Sequence, residues 1–325
     1  GLKGADLEAA LAEAQGNVLI VRSTKVPAEV IDAAPALSLI IRAGAGVDNI
    51  DTDHAAARGI YVANCPGTNS AAVAELAMGL ILAVDRRIPD NTADLRAGVW
   101  AKKTYSKADG IKGKTLGVIG VGAIGRLLIA RAQAFEMDVI AWSRSLTPEA
   151  AAALNVGYCQ SPSDVARQAD VVSLHVARAP DTEGMVNAEM IGAMKDGAIL
   201  INTARGTVVD NDALIDALRA GKIRAGLDVY ADEPGAADKE FAHAIREVPN
   251  WVGTHHIGAS TQQAQDETAE LAMKVLNEFI STGQAMNCVN MAPSSEVDAG
   301  CNLVVRHLDK VGVLARMLGR LRDEG

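Results

Sequence analysis

Along most of the chain, short uninterrupted apolar runs alternate with longer segments in which apolar positions recur every three or four residues. The runs Val18–Val21, Leu39–Ile41, Tyr61–Ala63, Leu116–Ile119, Val139–Trp142, Val171–His175, Ile199–Asn202 and Leu227–Val229 predict strands. They lack the polar alternation of a half-exposed strand, so each is expected to be covered on both faces. Punctuation marks the helices between them. Asn211 and Asp212 are expected to cap a helix carrying Leu214, Ile215 and Leu218, with Gly221 just past its end. Long helices are predicted over Ala71–Arg87 and Gln262–Ile280, and both are candidates to bridge two domains. Repeated strand–helix alternation predicts an α/β fold with doubly wound parallel sheets.

Composition narrows the function classes. In 325 residues, 49% are apolar, 22% charged and only 3% aromatic, which is globular and long enough for two domains. The net charge of −9 and the lack of a basic stripe argue against a nucleic-acid surface. The longest apolar stretch, Ala71–Val84, is interrupted by Glu75 and is too short to span a bilayer. The start, Gly1-Leu2-Lys3-Gly4, leads into an amphipathic stretch without the apolar core of a signal peptide, so a cytoplasmic location is expected. Cys65, Cys159, Cys288 and Cys301 fit no zinc spacing and are expected to be reduced thiols.

One motif carries chemistry on its own. The run Lys114–Ile119 leads into Gly120-Val121-Gly122-Ala123-Ile124-Gly125 and then into a helix expected over Arg126–Phe135. This is G-x-G-x-x-G between strand and helix, the arrangement that binds a dinucleotide. Gly120 permits the tight turn, Gly122 lets backbone approach a pyrophosphate, and Gly125 lets helix and strand pack closely, while the helix N-terminus favours the anion. After the next strand, a carboxylate would bind the ribose hydroxyl of NAD. This chain instead reads Trp142-Ser143-Arg144-Ser145, so Arg144 either faces the 2′-phosphate of NADP, the reading slightly favoured, or lies along the surface while NAD binds through its pyrophosphate.

Hydride removal from a C–OH group further needs a cation to hold a carboxylate, a base to take the hydroxyl proton and an acid to tune that base. Arg205, Glu233 and His256 each follow a predicted strand, where sites of open α/β sheets form. Singly, each has an ordinary alternative: a solvated arginine, a loop glutamate before Pro234, or half of the His255-His256 pair at a metal, for which no third ligand lies at suitable spacing.

Together the segments resemble the D-isomer-specific 2-hydroxyacid dehydrogenases, and within them the D-3-phosphoglycerate dehydrogenases. The resemblance runs in order through Val21–Val26, Ile41–Asn49, Asn64–Ser70, Gly120–Gly125, Asn202–Gly206, Asp228–Pro234 and His256–Thr261. It implies two doubly wound, Rossmann-like domains with the active site in the cleft between them. The substrate domain would comprise residues 1–86 with a return helix at 259–292, and the dinucleotide domain residues 87–258. It implies that His256 is the acid/base, Glu233 the partner that raises its pKa, and Arg205 the grip on the carboxylate and carbonyl oxygen. Cofactor contacts would fall on Gly120, Gly122, Ala123, Ile124, Gly125, Ser143, Arg144, His175, Ala204, Asp228 and Gly258. Asp228 would lie near the nicotinamide amide. Substrate contacts would fall on Arg22, Ser23, Lys25, Arg42, Ala43, Gly44, Ala45, Gly46 and Asn69, with Arg22, Lys25 and Arg42 near a substrate phosphate. Arg22 and Arg42 can also be read as simple strand ends. A homodimer or higher homo-oligomer is implied as well.

Two departures accompany the resemblance. The family normally begins with a strand, a helix and another strand ahead of the segment that starts here at Gly1, which implies a trimmed chain. At the other end, a linker at Pro293–Glu296 and the run Cys301–Ala315 resemble the approach to, and first strand and helix of, an ACT regulatory domain, giving a partial ACT-like segment over 293–325. Asp309 stands where serine-binding relatives carry Asn, which argues against serine feedback. The substrate classes left open are 3-phosphoglycerate, and glyoxylate or hydroxypyruvate reduced with NADPH. A non-enzymatic dinucleotide sensor is the third reading, since fold alone does not define function.

Overall fold

The apolar runs pair in parallel, as their lack of alternation requires. The computed structural model describes residues 2–234, 240–291 and 311–323. Contacts between α-carbons divide the chain into Gly1–Asn69 with Gln262–Gly325, and Ser70–Thr261.

In the smaller unit, β1 (Val18–Val21), β2 (Leu39–Arg42) and β3 (Tyr61–Asn64) form a parallel sheet in the order β1-β2-β3. Ile40 packs with Leu7, Leu11, Val30 and Ile31 from the helices Gly4–Ala14 and Ala28–Asp32. Its neighbours Leu39 and Ile41 point to the other face, against Ala272 and Val275 of the helix Gln262–Thr282. Cover on both faces explains why β2 is apolar up to Arg42, which closes it. The outer edge of β3 is closed by Asn290, whose Oδ1 accepts from the Val62 amide at 2.8 Å and whose Nδ2 donates to the Ile60 carbonyl at 2.9 Å.

In the larger unit, β4 (Thr115–Ile119), β5 (Asp138–Trp142), β6 (Gly157–Tyr158), β7 (Val171–Leu174), β8 (Ala198–Asn202), β9 (Ile223–Leu227) and β10 (Trp251–Gly253) form one parallel sheet. Its order is β10-β9-β8-β7-β4-β5-β6. The chain builds outward from β4 to β6, then returns to β7 and builds the other way, so the direction reverses between β4 and β7. Ligands of open α/β sheets bind at that switch point, beyond the carboxyl ends of the strands. One face buries Val172, Leu200 and Ala225 against helices that carry Val165, Ile191 and Leu214. The other buries Leu116, Val118 and Ile201 against Ala77 and Ile81 of the helix Ser70–Arg86 and Leu128 of the helix Ala123–Ala134. A Cβ at Gly226 would meet Ile201 Cδ1 at 2.7 Å and Leu80 Cβ at 3.0 Å, so β9 needs glycine where the long helix crosses it.

Several expectations shift. The division falls between Asn69 and Ser70 rather than after residue 86, because the helix Ser70–Arg86 packs on the larger sheet. β9 lies before the expected Leu227–Val229, since Asp228 leaves the ladder to serve a loop. β7 ends at Leu174, leaving His175 beyond it. Asp210, not Asn211 or Asp212, caps the helix Asn211–Arg219, accepting from the Ala213 amide at 3.0 Å. The glycine-loop helix begins at Ala123 rather than Arg126. β6 and β10 carry no long apolar run and were not foreseen. At the end of the chain the helix Val313–Asp323 is described; the expected linker and the stretch Cys301–Lys310 lie outside the described residues. Cys65, Cys159 and Cys288 are free thiols, and no helix among the described residues is long and apolar enough to cross a membrane.

Candidate active site

The glycine turn occupies the switch point. Gly120 has φ +100°, and its amide donates to the Trp142 carbonyl at 2.8 Å, tying the turn to the end of β5. A Cβ at Gly120 would strike the His175 carbonyl, and one at Gly125 would strike the Gly120 carbonyl, so neither position tolerates a side chain. A Cβ at Gly122 would meet open space, on the side where a pyrophosphate would lie. No side chain caps the helix that starts at Ala123, which leaves its first amides for an anion. Two buried polar atoms at neighbouring strand ends, His175 Nδ1 and Thr203 Oγ1, have no partner. Such groups are costly unless something satisfies them, and a dinucleotide laid across these ends fits the cradle.

His175 and its neighbours show how the cradle is set. The ring's Nε2 meets Ser173 Oγ at 2.8 Å, and burial pushes the imidazole down to about 4, so it is neutral at pH 7. Arg144 ends the turn after β5 and pairs with Asp181 at 2.9 Å. Ser143 lies beside it, and Ala204 follows β8 with its amide held by Asn202 Oδ1 at 3.0 Å.

The three proposed catalytic side chains come together within this unit. His256 Nδ1 meets Glu233 Oε2 at 2.7 Å. The other carboxylate oxygen accepts from the Tyr230 amide at 3.0 Å, fixing the carboxylate plane. Arg205 is close enough to act electrostatically on both. The hydrogen bond that His256 donates to Glu233 raises the His256 pKa above its ordinary 6.5, against the opposing pull of burial. Burial pushes the Glu233 carboxyl up, but hydrogen bonds from His256 and the Tyr230 amide outweigh it and hold the pKa below 4.5. Nδ1 engaged by a carboxylate leaves Nε2 to exchange a proton with a substrate oxygen.

The loops under these residues interlock. The buried Asn202 donates to the Arg205 carbonyl at 2.9 Å, bending the chain after β8. A Cβ at Gly206 would run into the Tyr230 backbone, so glycine lets the arginine turn lie directly on the turn that carries Glu233. His256 has φ +53°, a conformation side chains rarely adopt. Asp228, 1% exposed, holds it there: Oδ1 accepts from Thr254 Oγ1 at 2.6 Å and the Ile257 amide at 2.8 Å, and Oδ2 from the Gly258 amide at 2.8 Å. Thr254, Asn202 and Asp181 were not singled out from sequence as working residues. Thr254 and Asp181 work through loops far away along the chain, which leaves no local pattern, whereas Asn202 bonds to residues just ahead of it and its place at the end of a predicted strand was a usable signal.

In the smaller unit, the expected substrate residues also lie past carboxyl ends: Arg22, Ser23 and Lys25 after β1, Ala43–Gly46 after β2, and Asn69 after β3. Arg42 closes β2, and its guanidinium lies where a Cβ of Gly44 would be; Gly44 has φ +150°. The loop is pinned by Ala43 N to Val21 O at 2.7 Å, Cys65 N to Gly44 O at 2.9 Å and Asn64 Nδ2 to Ala45 O at 2.6 Å. Arg22 Nη1 donates to Gln265 Oε1 at 3.1 Å. Arg22, Ser23 and Lys25 are exposed.

A seven-stranded parallel sheet with this glycine turn at its reversal defines a dinucleotide-binding domain of the dehydrogenase class. The profile of the family described as D-isomer specific 2-hydroxyacid dehydrogenase, NAD binding domain, matches residues 78–258, and the chain belongs to that family. It is similar to the D-3-phosphoglycerate dehydrogenase of Methanocaldococcus jannaschii, 39% identical over 94% of this chain and 56% of that protein. It is also similar to the hydroxypyruvate reductase of Thermotoga maritima, 44% identical over 81% of this chain and 85% of that protein. Among solved structures, a glyoxylate reductase from Paecilomyes thermophila superposes with a TM-score of 0.78 at 31% identity, covering 88% of this chain and 89% of that one. The chain spans little more than half the length, 56%, of the phosphoglycerate dehydrogenase it matches.

Proposed function

We propose that this chain is the dehydrogenase portion of an NAD(P)-dependent D-2-hydroxyacid dehydrogenase that oxidises 3-phosphoglycerate to phosphohydroxypyruvate, the entry to serine biosynthesis. The 2.7 Å contact between His256 Nδ1 and Glu233, beside Arg205, carries this reading. A bound nicotinamide dinucleotide supplies the hydride acceptor. Gly120, Gly122, Ala123, Ile124 and Gly125 would hold its pyrophosphate, and Ser143, Arg144, His175, Ala204, Asp228 and Gly258 would line its path. Arg144 offers a cation to a 2′-phosphate, which favours NADP. Arg205 grips the substrate carboxylate and polarises the carbonyl oxygen. His256 Nε2 takes the hydroxyl proton during oxidation and returns it during reduction, and Glu233 stabilises the imidazolium formed. The backbone of Ala43–Gly46 and Asn69 assists in holding the carboxylate, and Ser23 with Arg22, Lys25 and Arg42 takes the phosphate.

The Thermotoga relative, matched over most of both chains, favours a second reading as a hydroxypyruvate or glyoxylate reductase. Rates with phosphohydroxypyruvate, hydroxypyruvate and glyoxylate, each with NADH and NADPH, separate the two. Preference for the phosphorylated acid supports the first reading; turnover of the unphosphorylated acids alone replaces it with the second. No turnover with any of them removes both and leaves a dinucleotide sensor.

The segment Ile88–Trp100 exposes Ile88, Leu95, Val99 and Trp100, at 50%, 57%, 47% and 81%, and no residue of its helix Ile88–Arg96 is fully buried. Apolar exposure on that scale suits a second copy of this chain, which supports the homodimer. The ACT-like run Cys301–Ala315 belongs to the same reading, as the start of a regulatory segment.

A further inference from the structure

At the end of β5 stands Arg144 where a carboxylate would select NAD, and its guanidinium is already engaged: Nη1 lies 2.9 Å from Asp181 Oδ2. The two residues are 37 positions apart and come from loops on either side of the glycine turn. Arg144 lies in the turn Ser143–Leu146, closed by the Leu146 amide donating to the Ser143 carbonyl at 3.1 Å, and Trp142 is bonded to Gly120. Asp181 lies on the loop that leaves β7 through His175, whose carbonyl abuts Gly120.

That second loop is built to hold its shape. Thr182 is buried at 4%; its Oγ1 donates to the Ala177 carbonyl at 2.8 Å and accepts from the Ala179 amide at 2.9 Å. The Gly184 amide donates to the Thr207 carbonyl at 2.9 Å. The segment that carries Asp181 is therefore held by the bonds of its neighbours Thr182 and Gly184. The side chains themselves remain accessible, 69% for Arg144 and 53% for Asp181, so an incoming ligand can reach them.

We propose that Asp181 is a specificity-determining residue that tunes the choice between NAD and NADP by competing with the 2′-phosphate for Arg144. This rests on the reading above, in which the glycine turn binds the dinucleotide. An exposed ion pair contributes little to stability. Its weight in binding is different, because the carboxylate acts twice. It occupies the cation that a 2′-phosphate needs, and it places a like charge beside that phosphate. A 2′-hydroxyl meets neither penalty. Arg144 and Asp181 thus oppose each other in setting selectivity, Asp181 acting by disfavouring the 2′-phosphate rather than by gripping the hydroxyl.

The test is calorimetric titration of the whole chain with ADP-ribose and with 2′-phospho-ADP-ribose, which requires no substrate and no turnover. Asp181→Asn is expected to tighten 2′-phospho-ADP-ribose about tenfold, or about 1.4 kcal/mol, and to leave ADP-ribose within about twofold. Adding Arg144→Ala to Asp181→Asn is expected to abolish that gain. Tightening that survives the loss of Arg144, or a ratio of the two affinities that Asp181→Asn leaves within about twofold, overturns the inference while the dinucleotide site stands. Binding of neither nucleotide by the unaltered protein overturns the dinucleotide reading and this inference with it.

Discussion

His256 and Glu233 are where the proposed reaction turns on single atoms. Replacing His256 by Ala removes the proton acceptor and is expected to lower kcat by about 10²–10⁴-fold, equivalent to a barrier increase of roughly 3–5 kcal/mol, with cofactor affinity retained. A decrease below about tenfold in steady-state assays would exclude His256 as the acid/base. Glu233 raises the His256 pKa above 6.5. Oxidation needs the neutral ring, so its rate rises as pH increases through the raised value; reduction needs the protonated ring and falls over the same window. Glu233→Gln is expected to move both limbs to lower pH, and profiles that coincide with those of the parent protein would argue against the pairing. The same shift has a stability consequence. The contact stabilises the fold fully between about pH 4.5 and 6.5; the contribution is lost as pH rises through the raised His256 value and as pH falls through the depressed Glu233 value.

At the scale of elements, loops rather than strands carry the site, and buried polar side chains shape the loops. Asp228 accepts three hydrogen bonds from the loop that holds His256 at φ +53°. Asp228→Asn can replace only part of that acceptor set and turns an amide towards a backbone N–H. The expected cost is about 1–3 kcal/mol for a buried donor left unsatisfied. Thermal unfolding should fall by several degrees, and kcat should drop more than KM rises, because the imidazole loses its fixed position. An unchanged melting temperature with unchanged kcat would show that the loop holds without the carboxylate. Gly206 acts by absence: a methyl group there collides with the backbone that precedes Glu233, so the arginine and glutamate loops cannot nest.

For the molecule as a whole, two predictions concern what it meets. Arg42→Ala is expected to reduce kcat/KM for phosphohydroxypyruvate at least tenfold more than for hydroxypyruvate, the size of a lost charge-assisted contact of about 1.5–3 kcal/mol. Equal losses on both substrates would assign Arg42 to the loop around Gly44 rather than to a phosphate. The exposed Trp100 and its apolar neighbours are expected to mediate self-association. Trp100→Lys should shift sedimentation equilibrium from dimer towards monomer, and a monomeric parent protein would remove this role.

Much of this was legible before any coordinates, for identifiable reasons. Strands covered on both faces read as short apolar runs, and β1 to β5 lie at or within a residue of where those runs stand, although β1 leaves Ile20 exposed. The glycine turn was readable because its three glycines keep a fixed spacing between a strand and a helix, although what Gly120 avoids, the His175 carbonyl, lies far along the chain. Arg205, Glu233 and His256 were visible as strand-end candidates, since parallel sheets gather ligands at one end. The chain pattern did not reveal β6 and β10, which are short and partly exposed. It placed β9 too late, because the apolar run continues through Val229 while Asp228 inside it turns away to bind the His256 loop. It also split the chain in the wrong place, since the periodicity of Ser70–Arg86 shows an apolar face but not which sheet receives it. Local order is written in local spacing. The anchoring of His256 by Asp228 and of Arg144 by Asp181, and the nesting of Gly206 on Tyr230, depend on which loops the packed sheets bring side by side, and only the tertiary structure decides that.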